Sequence, residues 1–255
     1  MVRSNISIDI AISILNDGLY NPRFKSDLNY IIIHQVTNKK DYHQYVLTLP
    51  SNVRYIQSDT VGLSKSRNLA IENTNADYLW IMDDDVEIKD GILVYIEELI
   101  NANKKTAMFV VSHSHKDIEY TGDSLIRPVN RISAMNIFSI DMILNIKLIK
   151  NIRFNESFGL GAKYPSGEEY IFAMDLISKK MRILKLKKVC SYHPLDSSGL
   201  NFYSSPVKLK AKLEMFKIAN GYFIGNILYL LFLMKKSKVI IKNKSFKNVI
   251  MSYIK

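Results

Sequence analysis

Three short stretches of the sequence collect side chains that could do chemistry. In YLWIMDDDVEI an apolar run, Tyr78–Met82, delivers Asp83, Asp84 and Asp85 one after another. Adjacent carboxylates repel, and a divalent cation such as Mn²⁺ or Mg²⁺ relieves that repulsion through hard oxygen donors. Alternate residues of an extended chain face the same way, so Asp83 and Asp85 are set to point at one ligand. A solvated acidic turn leading into the next helix accounts for the same residues. In FGLGAKYPSGEEYIF two glycines and a Pro-Ser-Gly turn lead to Glu168 and Glu169 on the first turn of a helix. The helix dipole alone favours acids there by a few tenths to ~1 kcal/mol, whereas a carboxylate at the mouth of a site is a general base. In VCSYHPLDSSG, His193 follows an apolar-edged strand, with Ser197, Ser198 and Gly199 shaping a tight turn. Imidazole ligates Mn²⁺ beside carboxylates, and a lone histidine is otherwise structural or exposed.

These residues need elements to hold them. The first half alternates strand and helix patterns. Ile8–Leu15, Tyr30–His34, Val53–Gln57, Tyr78–Met82 and Ala107–Val111 are β-branched or aromatic runs closed by polar residues. Asp90 is positioned to cap a helix whose Ile92, Ile96, Leu99 and Ile100 share a face, and Ser64 or Ser66 to cap another through Asn73. Strands alternating with helices predict an α/β fold, a mostly parallel sheet covered on both faces, with ligands beyond the C-terminal strand ends. Further on, the pattern predicts a strand over 132–140, a helix over 141–150, a loop over 158–167, a helix over 168–179, and strands over 182–186 and 189–193.

Charge and cysteine content narrow the class. The 255 residues carry a formal net charge of +11, but residues 206–255 hold eleven lysines against one acid, Glu214. The chain therefore divides into a nearly neutral body, 1–205, and a lysine-rich, apolar, helical segment, 206–255. In that segment Leu209, Leu213 and Phe216 can share one helix face, and an apolar run, 221–234, follows. That run is too short to span a bilayer as a simple helix; it suits either an anionic membrane surface or packing on the body. One cysteine, Cys190, excludes a disulfide framework and fits a reducing, cytoplasmic setting. The N-terminal ISIDIAISIL holds Asp9 within its apolar part and reads as a strand, not a signal peptide.

Other features suggest less. His113-Ser114-His115 reads as a solvated turn more readily than as a metal site. GLG at 159–161 lacks a dinucleotide fingerprint. The lysines of 179–188 lack the interleaved aromatics of a nucleic-acid surface.

Taken in order, the run GLSKSRNLAIENTNADYLWIMDDDVEI, the FGLGAKYPSGEEYIF loop and HPLDSSG resemble a family 2-type glycosyltransferase of the GT-A fold, of the bacterial polysaccharide-biosynthesis type. The resemblance covers about Ile8 to Gly199. It implies a metal-dependent, inverting hexosyltransferase moving sugar from a nucleotide-sugar, expected to be a UDP-sugar, to a glycan or lipid-linked hydroxyl in capsule or other cell-surface polysaccharide synthesis. On that resemblance Asp83 and Asp85 are the ends of the Asp-x-Asp motif, with Asp84 between them on the donor side. Asp85 and His193 ligate a divalent metal (Mn²⁺ or Mg²⁺), and Asp83 faces the ribose or the metal. Glu169 is the catalytic base, Glu168 positions the acceptor or its neighbours, and Arg67 and Asn68 lie near the nucleotide. Two departures stand out. His34-Gln35 occupies the place of the family's base-recognising Asp, where either side chain could bond a uracil edge, and the base is Glu in place of Asp. A sugar-phosphate nucleotidyltransferase using the same metal site and a catalytically silent, membrane-bound scaffold that keeps a GT-A-like fold remain as alternatives. No nucleic-acid partner is expected, and the enzyme is placed in the cytoplasm, peripheral on the inner face of the membrane.

Overall fold

The computed structural model describes residues 6–115, 126–194 and 205–254. Ser197, Ser198 and Gly199 of the expected turn lie outside the described residues. Among the described residues, nine strands form one sheet: β1 (Ile8–Leu15), β2 (Asn29–Gln35), β3 (Val53–Ser58), β4 (Tyr78–Met82), β5 (Glu87–Ile88), β6 (Thr106–Ser114), β7 (Ile126–Pro128), β8 (Met142–Asn145) and β9 (Arg182–Tyr192). Helices flank it: α1 (His43–Val46), α2 (Leu63–Asn73), α3 (Ile92–Ala102), α4 (Ile146–Ile149), α5 (Glu168–Ser178), α6 (Pro206–Asn220), α7 (Tyr222–Lys235), α8 (Ser237–Lys242) and α9 (Phe246–Ile254).

The strand order is β3-β2-β1-β4-β8-β6-β9-β5, with β7 on β9. The first four strands are mutually parallel. Strand β8 then enters antiparallel between β4 and β6, and β6 and β9 pair in parallel. Alternation along the parallel strands feeds two cores. Ile10, Ile12, Ile32, Trp80 and Met82 face the side covered by α3, while Ala11, Ile31, Ile33, Leu79 and Ile81 face the side covered by α2, α5 and α6. Each buried Ile or Leu contributes about 1.5–3 kcal/mol, so strands buried on both faces must be apolar throughout, as Tyr78–Met82 is.

Several expectations are corrected by side-chain hydrogen bonds. The stretch 132–140 is not a strand: Asn130 Oδ1 accepts from the backbone N–H groups of Ile132 and Ser133, folding the chain into 3₁₀ turns over Ser133–Asn136 and Ser139–Asp141. The helix expected from Asp141 starts only at Ile146, where Asn145 Oδ1 caps Leu148 N–H, and β8 occupies the residues before it. Ser64 and Ser66 do not cap α2. They lie inside it, bonded to the Phe158 carbonyl and Ser13 hydroxyl, and Gly62 is the N-cap. Likewise Gly91, at φ +67°, precedes α3, and Asp90 pairs with Lys25. The two strands expected at 182–193 are one, β9.

The lysine-rich segment begins as part of the body. Pro206 opens α6, Ser205 caps it at Lys208 N–H, and Leu209, Ala211, Leu213, Met215 and Phe216 are buried. Helix α7 crosses α6 at Gly225, where an added Cβ would stand 2.4 Å from Lys217 Cα and 2.7 Å from the Phe216 carbonyl carbon. That contact is backbone against backbone and has no flexible side chain to yield. Gly225→Ala is therefore expected to destabilise the α6–α7 packing by about 1–3 kcal/mol, read as a lower Tm and earlier proteolysis after residue 220. An unchanged Tm would show that the two helices separate freely.

Candidate active site

The C-terminal ends of β1, β2 and β4 open on one side of the sheet, and two cavities meet there. One, of about 340 Å³, is lined by Ser13, Gln35, Gly62, Asp83, Asp85 and Gly161 among others. The second, of about 430 Å³, is lined by Arg67, His113, Phe138, Ser166, Glu168 and Glu169 among others. Leu63, Asp83, Leu160 and His193 belong to both. The glycine loop forms the shared wall. Gly159 and Gly161 take φ of +102° and +77°, and the Leu160 carbonyl accepts from Leu63 N–H, fastening the loop to the start of α2.

At the base of the second cavity lies a buried guanidinium. Arg67 is 1% exposed; its Nη1 is 2.9 Å from Glu168 Oε1 and its Nη2 is 3.6 Å from Asp83 Oδ1. The guanidinium also lies over the Phe154 ring, 5.6 Å from its centroid. One cation from α2 thus ties the start of α5 to the end of β4. The arrangement leaves two buried atoms without protein partners, Arg67 Nε and Glu168 Oε2. Unsatisfied buried polar atoms of this kind cost about 1–3 kcal/mol each and are retained where a ligand or water completes them.

Glu169 sits beside this pair. Desolvation raises its carboxyl well above the ordinary range, the Glu168 charge adds to that, and Arg67 and Lys212 oppose it. Lys212 comes from α6, so the C-terminal segment contributes charge to the site. Asp83 is also raised, first by desolvation, against the pull of Arg67.

On the other wall, Asp85 Oδ1 and His193 Nε2 are 3.4 Å apart. A carboxylate and an imidazole in contact are a suitable donor pair for a divalent ion. Among the described residues no three His, Cys, Asp or Glu are grouped to hold a metal by themselves. Asp83, expected to face the ribose or the metal, lines the same cavity as Asp85 and His193, with its Oδ1 3.6 Å from Arg67 Nη2.

Two other expected site residues are placed differently. His34 is fully buried: Nδ1 is 2.8 Å from Tyr55 Oη and Nε2 is 2.8 Å from the Asn16 carbonyl. The carbonyl fixes the proton on Nε2, burial lowers the ring's pKa, and neither nitrogen is left for a nucleotide base. Asn68 is not at the nucleotide side either. Its amide donates to the Phe154 carbonyl and accepts from Phe154 N–H, clamping the chain beneath Arg67. Asp84 lines the first cavity, accepts from Asn21 Nδ2 at 3.0 Å, and has its pKa raised by burial. Gln35 does line the first cavity, where its amide N–H donates to the Gly62 carbonyl.

Residues 32–164, just over half of the chain, match the family described as glycosyl transferase family 2. The chain belongs to glycosyltransferase family 2. No curated protein matches it. The fold is similar to crystal structures of S. aureus TarS. For TarS 1–349 the TM-score is 0.53 at 17% identity, covering 85% of this chain and 70% of that one. For the same protein in complex with UDP the values are 0.52, 17%, 84% and 67%; in complex with UDP-GlcNAc they are 0.53, 15%, 84% and 68%. The sheet and its helices are those of a GT-A glycosyltransferase, and the family match sets aside the nucleotidyltransferase.

One pair in this glycosyltransferase was not legible in the sequence. His113 Nδ1 lies 3.0 Å from Asp141 Oδ1, and the Asp141 side chain is 4% exposed, its pKa raised by burial. Trp80 Nε1 donates to the Ile140 carbonyl and holds the turn that presents Asp141. The ring of His113 packs edge-on against Phe138, His115 and His193. Reading 132–140 as a strand and 141–150 as a helix hid this pairing.

Arg67→Met leaves Glu168 buried without its cation and is expected to cost about 3–5 kcal/mol in chemical unfolding. Adding Glu168→Gln should recover part of that loss; a double variant as unstable as the sum of the singles would show that the ion pair is not the cause. For Glu169 the folded-state pKa lies above the unfolded value, so the proton bound in the folded state stabilises at low pH. That contribution is lost as pH rises through the folded pKa. Glu169→Gln should therefore raise Tm at neutral and alkaline pH and match wild type near pH 4; no difference at any pH would exclude a strained carboxylate.

Proposed function

We propose that this family 2 glycosyltransferase moves a sugar from a UDP-sugar to a hydroxyl of a glycan or lipid-linked acceptor with inversion at the anomeric carbon. The observation that carries the reading is the junction of the two cavities at Asp83 and His193, with Glu169 in the wall of the larger one. The smaller cavity, at the ends of β1, β2 and β4, has the place of a nucleotide site in an open α/β sheet. TarS structures in complex with UDP and UDP-GlcNAc support the same class of donor.

Gln35, at the foot of the smaller cavity, is the side chain offered to the nucleotide in place of His34. Asp83, held by Arg67, faces the ribose or the leaving diphosphate. Asp85 and His193 would hold a divalent ion, Mn²⁺ or Mg²⁺, which when bound offsets the charge that develops on the diphosphate. Across the junction, Glu169 takes the proton of the acceptor hydroxyl as its oxygen attacks the anomeric carbon. The bond to the diphosphate breaks in the same displacement, with no covalent glycosyl-enzyme. A desolvated carboxyl has raised basicity, which suits a general base. Arg67 and Lys212 oppose that rise without cancelling it. Glu168, locked by Arg67, fixes the turn of α5 from which Glu169 projects. Assembly of a cell-surface polysaccharide such as a capsule, on the cytoplasmic side of a membrane, is the setting this chemistry suits.

A panel of nucleotide-sugars with Mn²⁺ should find a UDP-sugar that raises Tm and is turned over. No response to any nucleotide would remove the donor assignment. Asp85→Ala and His193→Ala should each lower turnover by roughly 10²-fold or more; full activity in either would remove the metal site. Glu169→Gln should lose a similar factor while binding UDP as wild type does. In wild type the turnover should fall as pH drops through the raised Glu169 pKa, above the ordinary carboxylate range. A profile flat down to the ordinary range would assign the base elsewhere.

A further inference from the structure

The C-terminal helices turn apolar residues outward. Along α7, Phe223, Ile227, Leu231 and Met234 follow at steps of four, four and three, and are 83, 55, 54 and 70% exposed. The opposite side of α7, through Gly225 and Tyr229, is the side that packs. A helix on a water-facing surface normally shows polar residues there, yet none from Tyr222 to Met234 carries a charge. Helix α9 packs on α6, as α7 does, and meets α7 through side chains, with Tyr229 Oη 2.8 Å from Ser252 Oγ. It repeats the pattern with Phe246, Ile250 and Ile254 exposed. Scattered exposed apolar residues are ordinary, but continuous stripes on neighbouring helices mark a binding surface. Lys235, Lys238, Lys242, Lys244 and Lys247, also exposed, lie in and between the same helices.

The charge selects the occupant. A second copy would bring together two segments that each carry eleven lysines against one acid. Insertion across a bilayer is closed to α7, whose fourteen residues make a helix of about 21 Å against a hydrocarbon core of about 30 Å. No helix among the described residues is long and apolar enough to cross a membrane. We propose that α7 and α9 dock this enzyme on an anionic lipid surface. Helix α7 lies in the plane of the interface, with Phe223, Ile227, Leu231 and Met234 against the acyl chains and the lysines among headgroup phosphates. Helix α6 then links this surface to the site, because its inner face supplies Met215 against Gly167 and Lys212 beside Glu169. The docking surface stands independently of the active-site chemistry.

Sedimentation of the full chain with vesicles of phosphatidylcholine and phosphatidylglycerol tests this. The protein should bind them, bind phosphatidylcholine vesicles much less, and detach as salt is raised. The triple variant Phe223→Ser, Ile227→Ser, Leu231→Ser alters only exposed positions; it should keep the wild-type Tm and lose at least about tenfold in binding. Lys235→Gln, Lys238→Gln and Lys242→Gln together should weaken binding to the anionic vesicles only. Asp85→Ala should bind vesicles as wild type does, which keeps failure of the metal site distinct from failure of docking. Equal binding by wild type and the Ser variant would overturn the proposal. So would a dimer in light scattering that the Ser variant dissolves while vesicles bind neither protein, since the surface would then belong to a second copy.

Discussion

Everything at the site leans on the guanidinium of Arg67. It is only 1% exposed, so its charge is kept chiefly by anions supplied from the protein, and two arrive from distant parts of the chain. Glu168 comes from the first turn of α5 and Asp83 from the end of β4. Removing Arg67 leaves Glu168 as a charge in a medium that solvates it poorly, and removing Glu168 leaves Arg67 with only the longer contact to Asp83; either is far more costly than losing an exposed ion pair. The same demand explains Asn68, whose amide fixes the backbone of Phe154, the ring on which the guanidinium rests.

From that fixed point the chemistry can be divided. Asp83 is held by the cation and is spent on position, while its neighbour but one, Asp85, is free to meet His193. Glu168 is likewise fixed, which leaves Glu169 desolvated and basic on the same helical turn. In each acidic cluster one carboxylate reaches Arg67 and another does not. The C-terminal segment takes part as well. It closes the inner wall through α6 and presents a different, apolar and cationic surface outward through α7 and α9.

The sequence made the parallel half of the sheet legible because buried strands have to be apolar along their whole length. Tyr78–Met82 begins and ends where its hydrophobic run does, and Ile8–Leu15 is apolar but for Asp9 and Ser13. Legibility failed where a polar side chain decided the backbone. Asn130 and Asn145 each accept from N–H groups a few residues ahead, and those bonds turn an apolar run into 3₁₀ turns and shorten a helix. Periodicity reports burial and carries no information about such local bonds.

By itself the sequence determined the fold class, the order of its early elements and the three clusters from which a site could be built. Those follow from the near-neighbour pattern of apolar and ionisable residues. Which ionisable group does what was decided by tertiary structure alone. His34 looked available and is sealed between Tyr55 and the Asn16 carbonyl. His113 looked solvated and is oriented by Asp141, 28 residues away. Burial and pairing set the charge and reach of such groups, and both depend on residues far apart in the chain, which only folding brings within hydrogen-bond distance.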